Sequence, residues 1–281
     1  KAGGTPGLQN SIFANKPDIT PPKVASLFPE KSDHVFVEFD EKLSRTLPDR
    51  DSFGFEPPLD IARISFAEKT LRALRIDLQS PIAAGMDYSL SVKNVPDCAG
   101  NQSEPTTIRF GLPEKSDSLD VVVNEILFNP RSGGVDFVEI LNRSSKYLNL
   151  KGWKLGNKLS DATAFFSGNY LMSPHSLLVF SADPVITALQ YPLNNAAVIF
   201  KTEMPSLPDD KGSILIVNNE RQIMDAVSYT QDWHSEFIKD NEGVTLERID
   251  PDGISDDAVN WTSASSRVGF GTPGVQNSQF R

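Results

Sequence analysis

Three sets of side chains in this chain have types and spacings that could do chemistry. The first is the acidic run Asp250-Pro251-Asp252-Gly253-Ile254-Ser255-Asp256-Asp257. Oxygen donors at alternating positions, with a glycine for the sharp turn, are what Ca²⁺ coordination uses, so Asp250, Asp252, Asp256 and Asp257 are the candidate metal ligands. The run departs from an EF-hand loop, because its glycine comes early and no glutamate closes it; the competing reading is a solvated turn. The second set is Glu125 and Glu139, which could be offered as an acid/base pair. The preferred reading for both is structural, with hydrogen bonds to loop backbone or solvent. The third is Tyr229, Trp233 and Phe237, in or beside one loop, an aromatic face for a partner protein or a glycan. Against it stands the reading in which Trp233 closes the edge of a sandwich.

Nothing else assembles into a catalytic pattern. His34, His175 and His234 fall in unrelated contexts, and His175 reads as a turn residue before Leu177 to Phe180. There is no His-Glu-X-X-His, no Gly-X-Ser-X-Gly and no phosphate-cradling glycine loop. Cys98 is the only cysteine, which rules out an intrachain disulfide and a cysteine metal site. No catalytic residue and no cofactor other than Ca²⁺ is therefore expected, and the chain is expected not to be an enzyme.

Charge narrows the partners. The chain has 27 basic and 37 acidic residues in 281, for a net charge of −10. Residues 1–114 hold 13 basic against 16 acidic, and residues 115–281 hold 14 against 21, so neither part offers a basic face. Nucleic acid is not an expected partner, because phosphate contacts need clustered Lys and Arg. No apolar run approaches the roughly 18 residues that a spanning helix needs, and the first residues lack the apolar stretch of a signal peptide.

The elements that must position these residues are almost all strands. Val35–Phe39, Leu74–Leu78 and Tyr88–Val92 alternate apolar and polar at period two. Residues 111–118, Gly-Leu-Pro-Glu-Lys-Ser-Asp-Ser, read as a linker to a second series. That series comprises Val121–Phe128, Phe137–Asn142, Trp153–Leu155, Leu177–Phe180, Ile214–Val217, Ile223–Tyr229 and Thr245–Ile249. Ser213–Val217 and Gln222–Val227 form a hairpin across Asn218-Asn219-Glu220-Arg221, with the asparagines tolerating positive φ. Asp97 to Asn101 is a side-chain-capped turn, and Trp153 and Trp261 are candidate core anchors. One short helix is expected at Pro184–Gln190, capped by Asp183 with Pro184 at the first helical position. Residues 193–211 read as an extended loop.

An internal repeat marks both ends. Gly4-Thr5-Pro6-Gly7-Leu8-Gln9-Asn10-Ser11 recurs as Gly271-Thr272-Pro273-Gly274-Val275-Gln276-Asn277-Ser278, identical at seven of eight positions and offset by 267 residues. The expectation is the end of one repeat unit followed by a complete one, within a longer tandem protein.

Two family resemblances rest on particular residues. Residues 119–278 resemble a bacterial lamin-tail domain, through Val122-Val123-Asn124-Glu125-Ile126-Leu127-Phe128-Asn129-Pro130 and Asp136-Phe137-Val138-Glu139-Ile140-Leu141-Asn142. Leu148 to Leu155, Val244 to Ile249, Asn260-Trp261 and the Gly-Thr-Pro-Gly ending continue the resemblance. Residues 19–112 are similar to a bacterial Ig-like domain of surface-layer and other exported proteins, through Pro21 to Val24, Val35 to Leu43, Gly85 to Val92 and Val95 to Asn101.

The resemblance implies an all-β chain of two tandem Ig-like β-sandwiches with at most one or two short helices. The expected division is 1–18 as the end of a preceding lamin-tail-like repeat or linker, 19–114 as an Ig-like domain and 119–281 as a lamin-tail-like domain. It also implies a non-catalytic segment of a secreted or outer-membrane-associated surface protein of the Bacteroidota type, a scaffold or adhesion module. Its partners would be other proteins of a surface assembly, with glycan also open. The alternative is an accessory or ligand-binding module (glycan, cell wall, Ca²⁺) of a larger secreted enzyme.

Overall fold

The computed structural model describes residues 17–281. Residues 1–16, which hold the Gly4–Ser11 copy of the repeat and most of the expected leading segment 1–18, lie outside the described residues. The chain divides into two compact units, the first ending at Phe110 and the second beginning at Gly111.

The first unit contains β1 (Val24–Lys31), β2 (His34–Phe39), β3 (Phe53–Glu56), β4 (Ile61–Phe66), β5 (Ala73–Leu78), β6 (Tyr88–Val92) and β7 (Thr106–Phe110). They form a four-stranded sheet, β1-β2-β5-β4, and a three-stranded sheet, β3-β6-β7. Period-two alternation buries Val35, Val37 and Phe39 on β2, Leu74, Ile76 and Leu78 on β5, and Tyr88, Leu90 and Val92 on β6. This four-plus-three arrangement is the layering of an immunoglobulin-like sandwich. The Asp97 turn forms as its residues dictate. Asp97 Oδ1 accepts from the N–H groups of Ala99, Gly100 and Asn101 at 2.8, 2.7 and 2.8 Å, and Gly100 takes φ +96°.

The second unit contains β8 (Val121–Leu127), β9 (Phe137–Asn142), β10 (Leu148–Asn149), β11 (Lys154–Gly156), β12 (Thr163–Ala164) and β13 (Leu171–Met172). It continues with β14 (Leu177–Ser181), α1 (Pro184–Gln190), β15 (Ile199–Lys201), β16 (Lys211–Val217), β17 (Ile223–Thr230), β18 (Leu246–Arg248) and β19 (Trp261–Ser263). A six-stranded sheet, β15-β14-β9-β8-β18-β19, and a four-stranded sheet, β12-β11-β16-β17, enclose the main core. Val123, Ile126, Ile140, Phe180, Ile214 and Val227 meet there with Trp153 and Trp261. Helix α1 begins where the sequence places it. Asp183 Oδ1 accepts from Val185 and Ile186 N–H, both at 3.1 Å, with Pro184 in the first turn. Among the described residues the fold is all-β apart from this helix and a few 3₁₀ turns, and no helix among them is long and apolar enough to cross a membrane.

Three local expectations are corrected. Residues 193–211 are not wholly a loop: after a 3₁₀ turn, Ile199–Lys201 add β15 parallel to β14. The apolar pair Ile199-Phe200 is too short to announce a strand, and the parallel neighbour defines it. The 111–118 stretch is not a free linker, since Glu114 N–H donates to Tyr147 O at 2.8 Å and Pro113 bridges Tyr147. In the β16–β17 turn the left-handed residue is Arg221 (φ +66°), not an asparagine. Asn218 works instead through its side chain, whose Oδ1 accepts from Glu220 and Gln222 N–H at 3.0 and 2.9 Å.

The outer face of the six-stranded sheet is also covered. Leu127, Phe137, Val179, Tyr191 and Ile199 form a second apolar layer against which Ala188 of α1 packs. Burial on both faces explains why every residue of β8 is inaccessible.

Candidate functional site

Beside that second layer, three glutamates stand in a row across three adjacent strands. Glu125 of β8 is paired directly with Glu139 of β9 on one side and with Glu247 of β18 on the other. All three have zero solvent exposure. Like charges opposite one another on neighbouring strands repel, and buried carboxylates lose their hydration, so such a row needs donors from elsewhere.

A β-bulge places the middle member. Between Val123 and Glu125, β8 uses two steps where β9 uses one, and Asn124 is the extra residue. Val121 and Val123 face the main core, and after the bulge Ile126 and Phe128 do so. Were Asn124 an ordinary paired strand residue, strict alternation would put Glu125 on the core side with the valines. The bulge turns it to the outer face.

The donors come from the segment that ends the chain. Glu125 Oε1 accepts from Thr272 N–H at 2.9 Å and from the Thr245 hydroxyl at 2.6 Å. The Thr272 hydroxyl donates to Glu247 Oε1 at 2.7 Å, and the Ser278 hydroxyl and Gln279 N–H reach Glu247 Oε2 at 2.7 and 3.0 Å. Glu139 accepts from Gly274 N–H at 2.6 Å and from Asn124 Nδ2 at 2.7 Å. Asn277 then locks the segment to the sheet backbone, donating to Asn124 O and Arg248 O at 3.0 and 2.9 Å. Residues 271–279 thus form a strap over the row.

Two strap glycines are required by their surroundings. A Cβ on Gly271 would lie 2.5 Å from the Tyr191 ring, and Gly274 adopts φ +81° with Val198 and Asn195 close by. Burial, then the neighbouring Glu247 charge, pushes the Glu125 carboxyl up to about 8, against the bonds from Thr245 and Thr272. Burial followed by Glu125 raises Glu139 well above the usual carboxylate range. Glu125 and Glu139 therefore favour their protonated forms at neutral pH. The row can accept and hold peptide donors, and its inaccessibility and committed oxygens suit it to that task more than to proton transfer with a substrate.

The predicted ligands do not converge. Asp250 Oδ1 accepts from Asp252 N–H at 2.9 Å, Asp252 Oδ1 pairs with Arg143 Nη1 at 2.7 Å, Asp256 Oδ1 accepts from Ser228 N–H at 2.6 Å and Asp257 Oδ1 from Val259 N–H at 3.1 Å. Each carboxylate is turned to its own local partner. Asp250 and Asp252 do share an open groove of about 420 Å³ with Arg143, His175 and Asn277. Among the described residues, the acidic side chains that gather within 4.8 Å of one another are instead Asp18, Glu41 and Asp97 in the first unit. Asp97 there is occupied by its own turn.

The aromatic set also separates. Tyr229 is a core residue, stacked on Phe128 at 4.6 Å and donating its hydroxyl to Pro208 O at 3.0 Å. Trp233 packs on the core and stacks with Trp261 at 6.2 Å. Phe237 alone of the three faces water, at 85% exposure.

Sequence reasoning reached Glu125 and Glu139, with hydrogen bonds to loop backbone as their preferred role, and Thr272 and Gly274 N–H supply such bonds. It missed Glu247, Thr272 and Asn277 as parts of one site. For Thr272 and Asn277 the signal was the recurrence of Gly-Thr-Pro-Gly-X-Gln-Asn-Ser, which marks a segment whose side chains are individually constrained.

Residues 114–231 match the family model of the Lamin Tail Domain. The match covers β8 to β17 and stops short of Glu247 and the strap. No curated protein matches the chain. Among solved structures, the N-terminal part of the bacterial S-layer protein SbsC is 15% identical with a TM-score of 0.32, over 57% of this chain and 40% of that one. The surface layer protein SbsC, domains 1–6, is 11% identical with a TM-score of 0.31, over 75% of this chain and 40% of that one. The chain thus spans 40% of the length of these solved structures.

Proposed function

We propose that this chain is a non-catalytic tandem β-sandwich segment of an exported or cell-surface protein, serving as a structural scaffold and protein-interaction module. The observation that carries the reading is the commitment of Glu125, Glu139 and Glu247 to the strap. The most reaction-like cluster of the second unit is spent on closing the domain. Support also comes from the lamin-tail match over residues 114–231 and from the repeat at 4–11 and 271–278. In this reading residues 1–18 end a preceding unit, 19–114 form an Ig-like domain and 119–281 a lamin-tail-like domain, repeated along a longer protein. Sandwiches in series make a spacer that displays loops such as the one carrying Phe237.

The test is location and accessibility in native cells. An antibody against this segment should detect it outside the cytoplasmic membrane, and external protease should remove the signal from intact cells. Recovery only from the cytosol, with the signal protected until lysis, would overturn the reading.

A further inference from the structure

We propose that the Glu139–Glu125–Glu247 row is a receptor for Gly-Thr-Pro-Gly-X-Gln-Asn-Ser segments, and that its second occupant is residues 4–11 of another copy of this chain. The inference rests on the strap-holding role just described, but needs no particular cellular location.

The strap and the earlier copy correspond residue by residue. Thr272 gives an N–H to Glu125 and a hydroxyl to Glu247, and Thr5 stands at the same place in the repeat. Gly274, left-handed and donating to Glu139, corresponds to Gly7; Gly271, with no room for a Cβ beside Tyr191, corresponds to Gly4. Asn277 and Ser278, which bind the sheet backbone and Glu247, correspond to Asn10 and Ser11. Gln279 contributes through its N–H alone, so the Ile12 that replaces it keeps the donor. The one difference within the eight, Leu8 for Val275, falls at a half-exposed position outside the donor set. The two segments therefore carry the same donors and the same small residues at matching positions.

In the intact chain the resident copy wins, because tethering gives it an effective concentration in roughly the millimolar range. When it is weakened, a second copy's residues 4–11 take its place and link chains head to tail. The heterologous contact does not close by itself, so association lengthens with concentration.

The experiment uses the full chain carrying Thr272→Ala and Gly274→Val, followed by sedimentation velocity. The variant is expected to self-associate with rising concentration, while the unaltered chain stays monomeric. A synthetic peptide of residues 3–14 in excess should return it to monomer. The same peptide with Thr5→Ala should need more than tenfold higher concentration, and with Gly7→Val should have no effect. If the weakened chain fails to fold, the unaltered peptide should restore its native tryptophan emission and the Gly7→Val peptide should not. A variant that remains monomeric and does not bind the peptide, or an unfolded one that the peptide cannot rescue, overturns the proposal. Such a failure leaves the surface-scaffold reading standing, since that is tested by location.

Discussion

Arg248 and Asp225 lie 2.9 Å apart, their side chains 0% and 1% exposed, and between them they hold both backbone groups of Val123. Val123 N–H donates to Asp225 Oδ2 at 2.8 Å, and Arg248 Nε donates to Val123 O at 2.7 Å. Val123 immediately precedes the Asn124 bulge, where the β-ladder is interrupted. The ion pair thus satisfies both backbone groups of the residue beside the bulge, and the guanidinium also stands 5.1 Å from the Trp261 ring centroid. Burial pushes the Asp225 carboxyl up and the Arg248 charge opposes that shift.

This pair predicts an asymmetric mutational pattern. Arg248→Met leaves a buried, uncompensated carboxylate and is expected to cost about 3–5 kcal/mol. Adding Asp225→Leu should recover part of that loss, because no lone charge remains. Urea unfolding of the two variants and the parent measures it; a double variant less stable than the single one would contradict the account.

The strap predicts a graded series. Thr272→Val removes the hydroxyl donated to Glu247 while leaving the N–H to Glu125, for an expected loss of about 1–3 kcal/mol. Gly274→Ala forces a side chain into a left-handed position already close to Val198, adding about 1–2 kcal/mol of backbone strain to that contact. Val275→Leu, the exchange found in the earlier copy, should change stability by less than about 0.5 kcal/mol. Denaturation midpoints order the three.

The units should respond to pH in opposite senses. Glu125, raised to about 8, keeps a proton in the folded state that the unfolded carboxyl releases above its ordinary 4.5, so its contribution to stability declines as pH rises from about 4.5 to 8. Asp136, raised to about 7 by burial and then Asp209, acts in the same sense. His234, lowered to about 4 by burial, acts oppositely below its ordinary 6.5, which leaves pH 6.5 to 8 as the clean window. Glu139 and Glu247 face Glu125 across the row, and Tyr191 and Arg131 stand nearby. Melting of the second unit should fall through that window, and Glu125→Gln should flatten the slope. Asp97 behaves differently: burial opposes, but bonds from Asn101 and the turn N–H groups hold its pKa below 3.8. The stability it confers on the first unit is present above that value and lost as pH falls below it.

Among the three aromatics, position decides the outcome. Tyr229→Ala removes a buried ring stacked on Phe128 and should cost about 3–5 kcal/mol. Phe237→Ser, at an 85% exposed site, should stay within about 0.5 kcal/mol of the parent. Equal losses at both would mean that Phe237 is packed in solution.

Much of the architecture is local and was readable. Alternation at Val35–Phe39 and Phe137–Asn142 specifies strands because a pleated backbone sends successive side chains to opposite faces, and Asp183-Pro184 specifies a helix start because both act on the first free N–H groups. Harder cases were non-local. Ile199–Lys201 becomes a strand through β14, and the 111–118 stretch joins the second unit through Tyr147.

The sequence by itself determined the strand-rich pattern, the capped turn at Asp97, the helix at Pro184 and the pairing of two Gly-Thr-Pro-Gly segments, all consequences of residues within a few positions of one another or of plain identity. Only the tertiary structure decided what Glu125 is for. Its distance along the chain from Glu247 and Thr272 hides their meeting, and the bulge that leaves Asn124 out of the ladder determines which face of the sheet it occupies. Side-chain direction in a strand reverses with every residue, so a one-residue bulge outweighs the pattern on either side of it.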